Sequence, residues 1–371
     1  MEVIEINHRR ELKDFISFPE TLYKNDPLWV PPLLSDEKKA YKEKNNPILR
    51  NSDYAIFLLK DGSRILGRCI PYVDRTFNEY YQSNTGLFGA FECVNDKEAA
   101  NLLIRQMEEW FLSRGIDTIR GPIHPIAEYW GFLLESDDRT PVFMTPHTPR
   151  YYIDCFENHG YKKAMDLLAY DANADGNYMI PERTRRFLSL LAKKKPEISV
   201  RRIRTKNILE DAEHVWRITN IAMANNWGYV PVDRDVMLDM VKRLKPIVDP
   251  DAVWFVEDNG KPVGYCLGFP DLNIILKKIR GRLFPTGFIE LLKERKRLTD
   301  YRLFGLAVHP DYHGMGLDVL LYASLFDALK PRSIRLEANY ILETNHHIRN
   351  ALEKLDLKLI KSYRVFEKEL A

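Results

Sequence analysis

Gly314 and Gly316 stand between an apolar run and a helical pattern, in Val308-His309-Pro310-Asp311-Tyr312-His313-Gly314-Met315-Gly316-Leu317-Asp318. That spacing suits phosphate chemistry. A strand that turns through glycines into a helix aims several backbone N–H groups at one point, and the positive end of the helix dipole points there too. A Cβ at either glycine would hold the ligand away from the main chain. The residues expected around such a phosphate or pyrophosphate are His313, Gly314, Met315, Gly316, Leu317 and Asp318. As an imidazolium, His313 would meet a phosphate in a pH-dependent way. Asp318 falls in the first helical turn, where a carboxylate suits a cap or dipole role and competes with an anion.

Downstream, Glu337 is a candidate to take a proton from an attacking amine, with Glu343 as a second. The plainer role for Glu337 is an ion pair with Arg335 or solvation, and both readings stay open. Tyr340 is a candidate proton donor to a leaving group; the plainer role is a half-buried strand aromatic. His309, His313, His346 and His347 share no spacing with acids that marks a metal site, so none is expected. Cys69, Cys93, Cys155 and Cys266 form no C-x-x-C pair and are expected as free thiols.

The elements that must position these groups read as follows. Leu303–Val308 is an apolar strand, and Val319, Leu320, Leu321, Tyr322, Leu325, Phe326 and Leu329 recur at helical spacing. Ile334–Ala338 is the next strand. Asn345 opens a helix carrying Ile348, Ala351, Leu352 and Leu355, and Ser362–Phe366 closes the chain as a strand. Before them, a strand at Ile198–Ile203, helices between about 208 and 244 and a hairpin turning at Asp258-Asn259-Gly260 complete a lobe. The first half carries the same plan. A hairpin turns at Asp61-Gly62-Ser63, a strand follows at Gly86–Phe91, an amphipathic helix at about 97–114, a strand at Ile116–Arg120 and a helix over Tyr151–Tyr161 with a Gly160-Tyr161 ending. Phe91-Glu92-Cys93-Val94-Asn95-Asp96 carries acids and no glycine where the second half has its phosphate loop, so this first lobe is expected to bind no phosphate. The domains are therefore 1–171, a linker with a helix at 172–197 containing Asn173-Ala174-Asp175-Gly176-Asn177, and 198–371.

The loop resembles the pyrophosphate loop of the GNAT superfamily, the acyl-CoA-dependent N-acyltransferases, in the form Val-x-Pro-x-x-Arg/Gln-Gly-x-Gly-x-Gly/Ala. Val308, Pro310, Gly314 and Gly316 match; His313 and Asp318 depart from it. Ile334–Ala338 is similar to the family's Leu-Glu-Val strand. Leu352 stands where a Tyr is usual, and in many members that Tyr is the proposed acid for the CoA thiolate. The resemblance extends along the chain. Phe15-x-x-Phe18-Pro19, Asp26-Pro27-x-Trp29-Val30-Pro31-Pro32-Leu33, Gly121-Pro122-Ile123-His124-Pro125, Asn226-Trp227-Gly228-Tyr229-Val230-Pro231 and Ile341-Leu342-Glu343-Thr344-Asn345 resemble a long, two-lobed bacterial GNAT subfamily that includes the bacterial ceramide synthases. The implied fold is mixed α/β (α+β): tandem GNAT-like lobes, each a mostly antiparallel twisted sheet flanked by helices, the first lobe degenerate and the second binding acyl-CoA. The resemblance also places the backbone of Ala307 and Val308 as donors to the thioester oxygen, and Asn345 among the residues around the co-substrate. The implied activity is transfer of an acyl group from CoA to the amine of a sphingoid-type base. Transfer to a small amine or a protein, and a CoA-binding scaffold without catalysis, remain open readings.

The insert from Asn273 to Arg297 interleaves apolar and basic residues at helical spacing. Such helices lie on anionic membrane surfaces or pack on their own protein with a solvated basic face. By the resemblance this insert falls near the acceptor side, where Leu283, Phe284, Phe288, Leu291 and Leu292 suit a lipid-like substrate. The 371 residues fit roughly two domains. With 55 basic and 53 acidic residues, nothing global points to nucleic acid. Met1–Glu5 has no signal-peptide layout and no apolar run approaches the ~20 residues of a membrane span. A cytoplasmic chain is expected, and contact at the inner face of the membrane stays an open reading.

Overall fold

The computed structural model describes residues 1–6, 8–125, 129–172, 178–285, 287–294, 297–332 and 334–370, with the side chains of Asp239 and Arg243 set aside. The expected linker segment Asn173–Asn177, and Thr286, Arg295 and Lys296 of the insert, lie outside the described residues. In chain order, β1 (Glu2–Glu5), α1 (Arg9–Leu22), α2 (Leu34–Ala40) and α3 (Pro47–Arg50) precede β2 (Ser52–Tyr54), β3 (Phe57–Asp61) and β4 (Arg64–Asp74). Then come α4 (Arg75–Tyr81), β5 (Thr85–Cys93), α5 (Lys97–Leu112), β6 (Thr118–Gly121), β7 (Phe132–Glu135), α6 (Tyr151–Asn158) and β8 (Lys162–Asp171). The second stretch has α7 (Glu182–Lys194), β9 (Ile198–Arg202), α8 (Ile208–Ala222), α9 (Arg234–Leu244), β10 (Val253–Asp258) and β11 (Lys261–Pro270). The insert supplies α10 (Asn273–Lys278) and α11 (Gly287–Glu294). Last are β12 (Asp300–Val308), α12 (Leu317–Leu329), β13 (Arg335–Leu342), α13 (His346–Lys354) and β14 (Lys358–Glu369).

These elements cluster into two compact units built from separate stretches of chain. The first comprises residues 1–167, 273–291 and 361–371; the second comprises 168–272 and 292–360. The insert helix α10 and the end of the chain thus belong with the N-terminal unit, where a reading along the sequence places them in a contiguous second lobe.

In the first unit the strands run in the order β1-β3-β4-β5-β6-β14, with β2 against β4 and β7 against β14. Among the described residues these neighbours pair antiparallel except β5 with β6. The α5 residues Ala100, Leu103, Ile104, Met107 and Phe111 recur at helical spacing and are buried as one stripe. Phe88 of β5 stacks on Phe156 of α6 with ring centroids 5.1 Å apart, at the centre of an aromatic core. In the second unit the order is β13-β12-β11-β10-β9, antiparallel except β12 with β13. Leu317, Leu321, Tyr322, Leu325, Phe326 and Leu329 of α12 are all buried against that sheet.

Two local features occur in both units. First, the parallel pair comes apart. β5 and β6 pair only from Thr85↔Thr118 to Leu87↔Arg120, and β12 and β13 only from Asp300↔Arg335 to Leu303↔Ala338. Second, the register slips beside that opening, between Arg68 and Ile70 on β4 and between Leu267 and Gly268 on β11. Such bulges bend a strand and re-aim its side chains, and they recur next to functional sites. At the first, Ala90 takes the left-handed conformation with φ of 47°.

The second unit is tied at its edge by Asp211, in the first turn of α8 and fully buried. It accepts from Arg201 Nη1 and Nη2 at 3.0 and 2.9 Å, from the Arg204 backbone at 2.7 Å and from Arg204 Nη2 at 2.7 Å. Burial alone would raise its pKa, but these hydrogen bonds outweigh burial and hold the carboxyl below its ordinary value. A depressed carboxylate pKa contributes stability that is present above the unfolded value, near 3.9, and lost as pH falls through the folded value. Asp211→Asn is expected to cost about 3 kcal/mol at pH 7, the low end for breaking a buried pair, because both arginines still reach water. Urea melts of the two proteins should converge as pH drops below about 4; a deficit of constant size down to pH 3 would contradict the ionic account.

Candidate active site

The loop after β12 has the geometry of an anion seat. A short 3₁₀ turn at Pro310–Tyr312 leads to Gly314 and Gly316, with φ of 78° and 75°. Only glycine adopts that region without strain, so two left-handed residues within three positions explain the glycine spacing. Gly316 is the N-cap of α12, and no side chain caps the helix. The N–H groups of Gly314, Gly316, Leu317, Asp318 and Val319 donate to no partner among the described residues. The first unit treats the equivalent helix in the opposite way. α5 begins directly after β5, and the Asp96 carboxylate accepts from Ala99 N at 3.0 Å. A fixed anion already occupies that helix terminus.

His313 turns back onto its own strand, its Nε2 lying 3.0 Å from the Val308 carbonyl oxygen. This ring nitrogen, expected on a phosphate, is thus engaged with the main chain. The Val308 carbonyl is available because of strand alternation. His309 N donates to Val263 O on β11 at 2.8 Å, so Ala307 also faces β11 while Leu306 and Val308 face the gap left by β13. Of the two expected thioester donors, Val308 is on the open side and Ala307 is turned toward β11. Met315 packs on the core, and Asp318 sits in the first turn of α12. Asn345 caps α13, accepting from Ile348 N at 3.2 Å. Leu352 is buried in the core of the second unit.

Glu337 and Tyr340 lie on β13 beside the gap, within a buried ladder of charges. Arg335 Nη2 donates to Glu337 Oε2 at 3.1 Å, and Asn339 Nδ2 to Glu337 Oε1 at 2.8 Å. Arg335 also reaches Asp171 at 3.1 Å and Asp300 at 3.6 Å. Arg302 Nε donates to Asn339 Oδ1, and its guanidinium lies over the rings of Phe304 and Tyr340 at 5.0 and 5.4 Å. Glu337 has no exposure and both of its oxygens accept a hydrogen bond. In this arrangement it orients Asn339 and Arg335. Tyr340 is half-buried against Arg302. Among the described residues no group of three His, Cys, Asp or Glu converges to hold a metal ion.

Reading along the sequence misses a second constellation, in the first unit. A cavity of about 130 Å³ opens beside the parted β5 and β6. Glu37, Arg68, Glu92, His124, Tyr129, His147 and Asn273 line it with apolar side chains around them. Arg68 is 5% exposed and ion-paired with Glu92, directly across the β4–β5 ladder. Burial raises the Glu92 carboxyl against the pull of Arg68. Burial, opposed by Arg68 and aided by Glu92, raises Glu37 to about 6. Burial and then the Arg68 charge push His124 down to about 3, so its imidazole is neutral. The signal available in the sequence was an arginine inside the apolar run Ile65–Ile70.

The acetyltransferase (GNAT) family model matches residues 215–356. Protein YghO of Escherichia coli K12 is 30% identical over 98% of this chain and 94% of its own length. A bacterial ceramide synthase of Caulobacter vibrioides is 28% identical over 100% of this chain and 98% of its own. Among solved structures, a tandem GNAT protein from the clavulanic acid biosynthesis pathway superposes with a TM-score of 0.57 at 11% identity, covering 99% and 98% of the two chains. That likeness shows the fold.

Gly316→Glu is expected to abolish CoA binding in calorimetry. Even a Cβ there would stand 2.5 Å from the Phe187 ring, and the carboxylate would take the anion's place. Unchanged CoA affinity in the folded variant would remove the loop from the site. Glu337→Gln separates two roles by pH. As an orienting group it should lower Tm and cut kcat by a similar factor at pH 7 and pH 9. A general base should instead show a loss of about 10²–10⁴ at pH 7 that fades as the amine deprotonates itself.

Proposed function

The chain belongs to the GNAT family of N-acyltransferases, and from this premise we propose that the second unit holds acyl-CoA on the loop before α12 and passes its acyl group to the amine of a long-chain, sphingoid-type base. The observation that carries the reading is the uncapped start of α12, with the N–H groups of Gly314, Gly316, Leu317, Asp318 and Val319, set against the Asp96-capped start of α5. Pyrophosphate oxygens match those donors and the helix dipole. The parted β12 and β13 leave the Leu306 and Val308 N–H groups facing a gap, where a thioester oxygen gains charge as the carbonyl is attacked. The neutral amine nitrogen attacks the carbonyl carbon, the C–N bond forms, the C–S bond breaks, and the nitrogen sheds a proton. A thiol pKa near 8.5 allows the thiolate to leave without an acid, which fits Leu352 in place of a tyrosine.

The lipid character of the acceptor is supported by the insert and by the ceramide synthase relative. Phe284 is 84% exposed, and Phe288, Ile289 and Leu292 of α11 are also exposed, with Lys293 and Arg280 nearby in sequence. Exposed aromatic and aliphatic groups mixed with basic ones suit the headgroup region of an anionic bilayer, with each cation contributing up to about 1 kcal/mol. No helix among the described residues is long and apolar enough to cross a membrane.

Acyl length tests the reading. Each buried CH₂ is worth about 0.8 kcal/mol, roughly fourfold in kcat/KM. With a sphingoid amine as acceptor, kcat/KM is expected to rise from acetyl-CoA to a long-chain acyl-CoA. Phe288→Asp should erode lipid-amine turnover on vesicles more than it erodes CoA binding. A flat or falling dependence on chain length would leave transfer to a small amine as the better reading.

A further inference from the structure

The cavity in the first unit has a composition that the acyl-CoA site does not explain. Its volume, about 130 Å³, is room for roughly ten water-sized groups at ~10–15 Å³ each. Its walls are apolar, with Trp29, Pro31, Pro32, Leu33, Phe143 and Leu276 among them. Its charged groups do not balance. Arg68 faces Glu92 and Glu37, His147 is paired with Asp26 at 2.7 Å, and His124 is neutral. Arg68 is also committed: its Nε donates to Glu92, its Nη1 donates to the Phe15 carbonyl at 2.8 Å, and its carbon centre lies 4.7 Å over the Phe15 ring. Glu37 is the surplus charge. It has no ion pair among the described residues, and its contact is the Tyr41 hydroxyl, which donates at 3.4 Å. A carboxylate accepts about four hydrogen bonds, and Glu37 lines the cavity with this one contact among the described residues.

A cavity with a surplus carboxylate and a committed guanidinium favours a cation and disfavours an anion. The apolar wall favours a cation attached to hydrocarbon. We propose that this cavity binds a primary ammonium carried on an alkyl chain, with Glu37 as the anionic contact of the head and the proline–aromatic wall as the seat of the chain.

The insert supports the hydrocarbon part. Leu276 of α10 is in the wall, and Asn273 Nδ2 donates to the Pro141 carbonyl at 2.7 Å, Pro141 being another wall residue. Leu34 N donates to Gly281 O at 2.9 Å, and a Cβ on Gly281 would meet Pro32 O at 2.1 Å. The segment with exposed Ile274 and Phe284 is thus fastened to the rim of the cavity. A chain leaving a lipid surface would meet that apolar segment first. The proposal deepens the acyl-transfer reading by naming a place for its amine, and it rests on that reading only for the ligand being the acceptor.

Calorimetry on the full chain tests it, with n-octylamine, n-octanol and octanoate as probes. Octylamine is expected to bind more tightly than either neutral or anionic probe. Glu37→Gln should weaken octylamine at least tenfold at pH 8 while CoA affinity stays unchanged. In the wild type, octylamine affinity should fall between pH 7 and pH 5. The groups facing Glu37 are Arg68 and Glu92 from β4 and β5, Tyr41 and Asp36 from its own segment, and His124. With His124 lying near 3 and Glu37 raised to about 6, protonation of Glu37 falls in this window and removes the contact; burial raises Glu92 as well, so loss of the pH dependence in Glu37→Gln is what assigns it to Glu37. An alkylamine remains cationic throughout, having a pKa near 10.4 like lysine. Octanoate binding as well as octylamine, a Glu37→Gln protein with unchanged affinity, or a pH-independent affinity would each overturn the proposal; the last needs no variant to fold. Octylamine binding without acyl transfer to any long-chain amine would support the site and sink the acceptor reading. Acyl transfer with an unchanged amine KM in Glu37→Gln would do the reverse.

Discussion

The backbone N–H groups at the start of a helix must be satisfied, and the two units of this chain satisfy them differently. At α5 a carboxylate from Asp96 does so within the protein. At α12 no side chain does so, because a left-handed Gly316 occupies the N-cap position. An N-cap carboxylate is worth about 1 kcal/mol to a helix. The second unit forgoes that contribution and leaves donors oriented toward one point. The sheet beside each helix has the same parted parallel pair and the same kind of bulge. On the proposed reading, the difference between a unit that seats pyrophosphate and one that does not is therefore a handful of residues at one turn. Glycine there removes both the Cβ and the competing charge.

Buried charge is also used in two ways. In the second unit, Asp171, Arg335, Glu337, Asn339 and Arg302 form a ladder in which each carboxylate has a donor. Such a network orients the strands at their point of divergence, and removing one member strands another in a low-dielectric interior. In the first unit, Arg68 and Glu92 make a comparable pair, but Glu37 adds a negative charge with only a long contact to a hydroxyl. Burying an incompletely satisfied carboxylate is costly, which its raised pKa near 6 expresses. In the binding proposed for the cavity, an ammonium head supplies the partner that offsets that cost.

The legible parts of this fold are local. Gly62 and Gly260 mark hairpins, and both take positive φ. Helical periodicity located α5 and α12, and the Gly314/Gly316 spacing located the loop. The cavity was not legible, because its wall joins Trp29, Arg68, His124 and Leu276, residues far apart along the chain. No periodicity reports such a meeting. The assignment of Asn273–Leu291 and Lys361–Ala371 to the first unit was hidden for the same reason. Side-chain direction was hidden too. His313 sits at the expected place in the loop, yet a hydrogen bond of 3.0 Å to Val308 O turns its ring inward. Glu337 was located on its strand, but its two partners follow from the pleat: Arg335 and Asn339 are i−2 and i+2 neighbours on one face.

The two substrates of the proposed reaction have opposite demands. CoA presents phosphates, and a lipid amine presents a cation on hydrocarbon. A carboxylate beside the phosphate loop would weaken the first, and an uncapped helix start beside the amine would repel the second. The chain keeps these features in separate units. Glu37 and Glu92 lie in the unit whose helix start is capped by Asp96, and the exposed glycine loop lies in the unit whose buried Asp171 and Glu337 are paired with Arg335 and Asn339 near the divergence of β12 and β13. A duplicated plan makes this division possible. On the proposed reading, the glycine loop of the second unit serves the phosphates, and the parted strands of the first unit, which has no such loop, leave a place where a different chemistry can be seated.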